Sequence, residues 1–480
     1  MLVEGRMPDV IKTDICILGA SPGGLQVAAA AAALKIPVAL VEPGLADGGW
    51  PASGSARLRA LAAAGSAARK MRSAARFGLP PHAPIIDFDS VLDHVRARAV
   101  AVAVSDSPAR YEAMGARVIR AAGRFSGSTQ IEAGGVTIKA RRVVIAAMSS
   151  PHIPAIAGLG ALPFLTADSI FDLKTLPRKL LIIGAGAAGL ELGQAFRRLG
   201  SEVEILDKGE PLADLDRELA GVTVRALRRE GVIIRANVEI QNVSLHGEGA
   251  RASYLANGIA AFADATHLLV ATGRKVSLDP LRLGAARVSL TPDGIAVNGA
   301  MQNPGNPKVY AIGEAAGAGQ AHLASYHASL VIRHALLRLP VSGSKAPAPL
   351  TLLTDPEIAY VGLSEAQARA AHARLSILRF PFSENDRALT DGQSAGLIKV
   401  IAAPDGKILG CGIAGPQAAE LITPWTLALA QGLSVRQMAE TVFPAATLSD
   451  ASRRAALSWF GPKLAQPGFG RVLRFLRFWG

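Results

Sequence analysis

Near the N-terminus the run Gly19-Ala20-Ser21-Pro22-Gly23-Gly24 is followed, about twenty residues on, by an acid, Glu42. Glycines in this spacing let a backbone turn approach a pyrophosphate at a helix N-terminus. An acid at that distance accepts hydrogen bonds from ribose hydroxyls. Ser21 takes the place of the usual second glycine. A later run, Gly184-Ala185-Gly186-Ala187-Ala188-Gly189, keeps all three glycines and is followed by Asp207. One such cluster is weak evidence, because glycine turns also serve plain helix packing. Two copies about 165 residues apart, each with its acid, are far more specific.

Each turn needs a strand before it and a helix after it. Residues 14–18, Asp-Ile-Cys-Ile-Leu, form an apolar run that predicts a buried strand. A helical stretch then runs through Leu34, and a second strand, Val38 to Val41, ends at Glu42. The same order recurs as Leu180 to Ile183, the glycine turn, a helix to Leu199, and Val203 to Leu206 ending at Asp207. The expected fold is therefore α/β with two Rossmann-like dinucleotide-binding domains. Two such sites in one polypeptide imply electron traffic between two cofactors, with FAD and a nicotinamide nucleotide the natural pair.

The chain has 480 residues, which suggests roughly three domains, and half of them are hydrophobic. The net charge of +13 raises nucleic acid as a partner. Its basic residues are mostly scattered arginines without a binding signature, so no nucleic-acid partner is expected. Residues 1–12 lack the apolar core of a secretory signal, and the run Val27 to Leu34 is far shorter than the ~20 residues of a membrane span. Two cysteines, Cys16 and Cys411, exclude a disulfide framework. A cytoplasmic location is expected, and no metal site is assigned.

The sequence resembles the pyridine nucleotide–disulfide oxidoreductases, in their mercuric-reductase-like and dihydrolipoamide-dehydrogenase-like branch, over roughly residues 12 to 462. Gly184 to Gly193 is similar to the family's nicotinamide-site turn, and Ala271-Thr272-Gly273-Arg274 to the strand end closing that domain. Val309 to Glu314 is similar to the second FAD motif, and Thr354 to Gly362 to the opening of the dimerisation domain. The resemblance implies an FAD domain at 1–165 and 277–345 and an NAD(P) domain at 166–276. A C-terminal α+β dimerisation domain at 346–465, entered through the Pro-rich linker Pro340 to Pro349, would make the protein a homodimer. It also places Gly49, Ala147, Gly273, Gly313, Glu314 and His322 among the cofactor contacts, with Glu314 standing for the aspartate that holds the ribityl chain.

The departures concern one mechanism. The family carries Cys-x-x-x-x-Cys just after the first ribose acid; here the stretch from Gly48 to Leu61 has no cysteine. Ser55 falls at the flavin-proximal position, and Trp50 or Pro51 at the other. The family's C-terminal His-Pro-Thr-x-x-Glu reads Ala445-Ala446-Thr447-Leu448-Ser449-Asp450, so the histidine that serves the thiols is also missing. The first Ala-Thr-Gly motif reads Ala146-Ala147-Met148. The lysine that the family pairs with a helix glutamate beside the flavin is replaced by Arg59, opposite Glu191. Arginine cannot give up its proton, so the implied role is electrostatic.

The expected activity is that of an FAD-dependent NAD(P)H oxidoreductase without a redox disulfide, in which NADH reduces FAD and electrons pass directly to a small external acceptor such as a quinone. Trp50, Ser55 and Arg59 would wall the acceptor pocket. A pyridine nucleotide transhydrogenase and a non-enzymatic redox sensor or scaffold are the competing readings. Asp207 favours NAD over NADP, although Lys208 stands beside it. In the basic tail, 466–480, a helical wheel puts Val472, Phe475, Leu476 and Trp479 on one face and Arg471, Arg474 and Arg477 opposite. Such a segment suits either peripheral contact with an anionic membrane or packing on its own dimer.

Overall fold

A computed structural model of the chain describes residues 9–45, 54–103, 107–341, 343, 346–461 and 475–478. The chain forms two compact units. One comprises Met1–Ala60, Asp89–His152 and Gly273–Ala346, the other Leu61–Phe88, Ile153–Thr272 and Pro347–Gly480.

In the first unit the strand Val10–Leu18 lies between Val38–Val41 and Val136–Ile145, parallel to both. Arg117–Ile119 extends this parallel sheet on one side and Val309–Ala311 on the other. The two short strands Gly123–Phe125 and Gln130–Ala133 add an antiparallel hairpin to Val136–Ile145. Residues such as Ile15, Ile17, Leu40 and Val144 are essentially inaccessible, as expected of strands covered on both faces. The helix Pro22–Ala33 starts at the tip of the central strand and buries its small apolar residues, including Val27, Ala28 and Ala31. The strand order reverses between Val10–Leu18 and Val136–Ile145. Open α/β sheets bind their ligands at such a switch point.

The second unit contains another parallel sheet, ordered Ile233–Arg235, Glu202–Leu206, Lys179–Ile183, His267–Val270 and Leu165–Thr166. The antiparallel ribbon of Val238–His246, Gly249–Ala256 and Ile259–Ala265 packs Val243, Ala252 and Tyr254 against it. The C-terminal part is a five-stranded antiparallel sheet. Its order is Leu350–Leu352, Glu357–Gly362, Ile408–Gly415, Leu397–Ala402 and Ser376–Pro381. Helices including Thr423–Ala430 and Asp450–Leu457 cover it, and Trp425 sits fully buried at its centre. Among the described residues no helix is long and apolar enough to cross a membrane.

Candidate functional site: two nucleotide turns

At the first turn Gly19 adopts φ +107, and a Cβ there would lie 2.4 Å from the Ala146 carbonyl oxygen. Glycine is required on both counts. A Cβ on Gly24 would come within 2.6 Å of the Gly19 carbonyl, so this glycine lets the helix close onto the turn. Ser21 has a defined job: its Oγ accepts from the Gly24 N–H at 3.3 Å and caps the helix, with Pro22 following in the first turn. What reads as a degenerate glycine motif is thus a capped helix start. Glu42 accepts from the Ala20 N–H at 2.9 Å and from the Gly44 N–H at 3.0 Å, which holds the acid beside the turn.

The second turn repeats this chemistry. Gly184 has φ +113, and its Cβ would meet the Ala271 carbonyl at 2.5 Å; a Cβ on Gly189 would fall 2.0 Å from the Gly184 carbonyl. Asp207 accepts from the Ala185 N–H and, at 2.8 Å, from the Gly209 N–H. These are the counterparts of the Glu42 bonds. The turns differ at their middle position. Gly186, the cap of the helix Ala187–Leu199, faces open space: a Cβ there would meet nothing within 4 Å, so its backbone stays accessible to a pyrophosphate. Both donor sets therefore fit a dinucleotide.

Around the end of Val309–Ala311 the first unit gathers further groups. Glu314 accepts from the Ser149 N–H. Arg274 holds the same residue from the other side, Nε to Ser149 Oγ at 2.9 Å and Nη2 to Ser149 O at 2.6 Å. The Gly313 N–H donates to His327 Nδ1 at 3.2 Å. Burial pushes the His327 pKa down, which keeps that nitrogen free to accept. Ser149, Arg274 and His327 are absent from the sequence-derived set. Arg274 at least ends a recognised motif, whereas Ser149 and His327 carry no signal without the fold. His322 is exposed in the first turn of Ala321–Val331, Ala147 is half-buried, and Gly273 has φ +111.

Ser55 and Arg59 are both exposed and lie four residues apart on the helix Gly54–Arg72, hence on one face. Gly49, Trp50 and Pro51 lie outside the described residues. Glu191, nearly buried on Ala187–Leu199, accepts from the Leu353 N–H at 2.6 Å. On the same helix Gln194 accepts from the Asp355 N–H and donates to the Asp355 carbonyl, each at 2.8 Å. Asp450 is bound by Arg454 at 2.7 Å. Cys16 and Cys411 are unpaired and fully buried in separate sheets. Burial pushes the Cys16 thiol up to about 12 and Cys411 well above its ordinary value, so neither forms a reactive thiolate at neutral pH. Among the described residues no cluster of three metal-ligating side chains occurs. In the tail, 475–478 are helical and Phe475, Leu476 and Phe478 are exposed; Arg471, Val472, Arg474 and Trp479 lie outside the described residues.

Comparisons with known proteins agree with this architecture. The family model described as pyridine nucleotide-disulphide oxidoreductase matches residues 13–328, and that family's dimerisation domain matches 348–456. A dihydrolipoyl dehydrogenase of Thermus scotoductus is 33% identical, with 92% of this chain and 96% of the relative covered. A mercuric reductase of Streptomyces lividans is 30% identical, with 92% and 95% covered. A mercuric reductase of Lysinibacillus sphaericus is also 30% identical, over 71% of this chain; the match spans just 63% of that relative's length. Among solved structures, the HOCl-induced flavoprotein disulfide reductase RclA of Escherichia coli has a TM-score of 0.82 at 21% identity, with 92% of this chain and 99% of that chain covered.

Proposed function

Since the chain belongs to the pyridine nucleotide-disulphide oxidoreductase family, whose members are FAD-dependent and use NAD(P)H, we propose that it is an oxidoreductase that passes electrons to a small external acceptor without a dithiol relay. One observation carries this reading. The position of the flavin-proximal cysteine is held by the exposed Ser55, while the chain's two thiols are buried in strands. A quinone is the acceptor class that suits an exposed position beside an arginine, with Ser55 and Arg59 the proposed walls among the described residues. The matched dimerisation domain supports assembly as a homodimer.

Bound FAD would supply two-electron chemistry at its ring. The protein's own contribution is positional. Gly19, Gly24 and the capped helix would receive the pyrophosphate; Glu42 would accept from the ribose; and Glu314, steadied through Ser149 and Arg274, would hold the ribityl hydroxyls. Arg59 is in this proposal a fixed positive charge with no proton to donate. The test is steady-state NADH oxidation with a soluble quinone, before and after treatment with iodoacetamide. Turnover unchanged by alkylation is expected. Turnover of lipoamide that alkylation abolishes would overturn the proposal.

NADH is expected to be used at least about tenfold better than NADPH, a difference of ~1.4 kcal/mol. The Asp207 carboxylate, anchored by Ala185 and Gly209, accepts from a 2′-hydroxyl and repels a 2′-phosphate. Comparison of kcat/KM for the two nucleotides measures this, and parity would refute it.

A further inference from the structure

We propose that the first unit carries, on the side of its sheet away from the nucleotide turn, a pocket for a small oligophosphate anion. A cavity of about 410 Å³ lies there, lined by Arg141, Arg142, Lys308 and Arg338 and by no carboxylate. Arg141 is paired at 3.1 Å with Asp14. Arg142, Lys308 and Arg338 have no acidic partner among the described residues. Lys308 precedes the strand Val309–Ala311, whereas Gly313 and Glu314 follow it. Measured along the strand, Tyr310, the lining residue nearest that end, is three residues from Gly313, about 10 Å at ~3.3 Å each, and Lys308 is five residues, about 16 Å.

The other lining groups point to the same ligand chemistry. The Tyr310 ring is buried, and its hydroxyl accepts from Gln302 Nε2 at 3.3 Å and meets His334 Nδ1 at 3.0 Å. These contacts place the His334 ring and the Tyr310 hydroxyl together at the pocket wall, and an imidazole presents an N–H donor in either tautomer. The backbone is shaped around these groups. His334 stands in a π-helical segment, Ile332–Leu336, which continues the helix Ala321–Val331, and Arg338 adopts φ +60. A π-helical turn is rare and concentrates at functional sites. Like charges gathered around one cavity repel, and an anion relieves that repulsion while guanidinium groups bind its oxygens in pairs. Apolar lining is limited to Pro307 and the Tyr310 ring, which disfavours a greasy ligand.

The test is calorimetric titration of inorganic tripolyphosphate into the FAD-loaded full chain. Saturating NAD+ fills the nicotinamide turn, and the buffer holds about 150 mM salt and no divalent cations. One site per chain is expected. The double variant Arg142→Ala/Arg338→Ala should bind at least about tenfold more weakly, and the exposed Lys308→Ala about threefold. Arg96→Ala/Arg98→Ala, on the helix Phe88–Ala103, removes the same charge elsewhere and should change nothing. Absence of saturable binding, equal weakening by the Arg96/Arg98 pair, or retained affinity in Lys308→Ala and the double variant would each overturn the proposal. Citrate binding as tightly as tripolyphosphate would overturn its assignment to phosphate.

Discussion

Stepwise anaerobic reduction of the FAD-loaded protein is expected to consume two electrons per subunit, where a relative with both flavin and redox disulfide consumes four. A half-reduced relative of that kind also shows a long-wavelength band from a thiolate stacked against the flavin. Such a band needs a sulfur of depressed pKa in an electropositive setting. On the proposed reading that position falls to Ser55, whose hydroxyl ionises far too weakly to donate charge and cannot form a disulfide. Its two real thiols are buried and shifted in the opposite direction. No dithiol is then available to store the second electron pair. Dithionite titration followed by absorbance reads both quantities at once. Uptake of four electrons, or a long-wavelength band removed by alkylation, would show that a cysteine takes part after all.

Lys399→Met should destabilise the second unit by about 3–5 kcal/mol, because it breaks a buried ion cluster and leaves its acids behind. Lys399 Nζ lies 2.8 Å from Asp216, 3.0 Å from Glu218 and 2.7 Å from Glu365, and its side chain is 4% exposed. Asp216 also caps the helix Arg217–Arg229. The variant would leave Asp216, itself 8% exposed, facing a methionine. The pH dependence has a definite sign. Hydrogen bonds hold both acids below the ordinary carboxylate range, Glu218 chiefly through Arg379 and Glu365 chiefly through Lys399. Their contribution is complete above the unfolded value of ~4.3 and fades as pH falls through the lowered folded values. Burial alone would lower the Lys399 pKa, but the bonds to Asp216, Glu365 and Glu218 outweigh it and raise the value. That part persists below the unfolded lysine value and is lost as pH rises through the raised one. Urea unfolding of wild type and variant between acid and alkaline pH measures the difference. A gap under ~1 kcal/mol at neutral pH would sink the idea.

The strand–turn–helix units could be read from sequence because their cause is local. Apolar runs such as Leu180 to Ile183 must be buried, and glycines beside them mark close backbone approach; the strand Lys179–Ile183 and the helix Ala187–Leu199 follow accordingly. Ser21 shows where local reading stops short, since its departure from glycine is visible but its service as a helix cap needs the backbone angle. The Ser149–Arg274–Glu314 cluster could not be read at all. Its members are 125 and 165 residues apart, and the pairing of Arg274–Val276 with Ser149–Pro151 brings them together. Arg59, by contrast, enters through resemblance alone, and its helix gives an exposed position without a role.

The helix that begins at Gly186 behaves mechanically as a lever clamped along one side. Glu191, Gln194 and Arg198 recur at three- and four-residue steps, and each grips the segment from Leu353 to Asp355 that opens into the C-terminal sheet. Neither piece can open without breaking the other's bonds, so helix and segment share a single opening free energy.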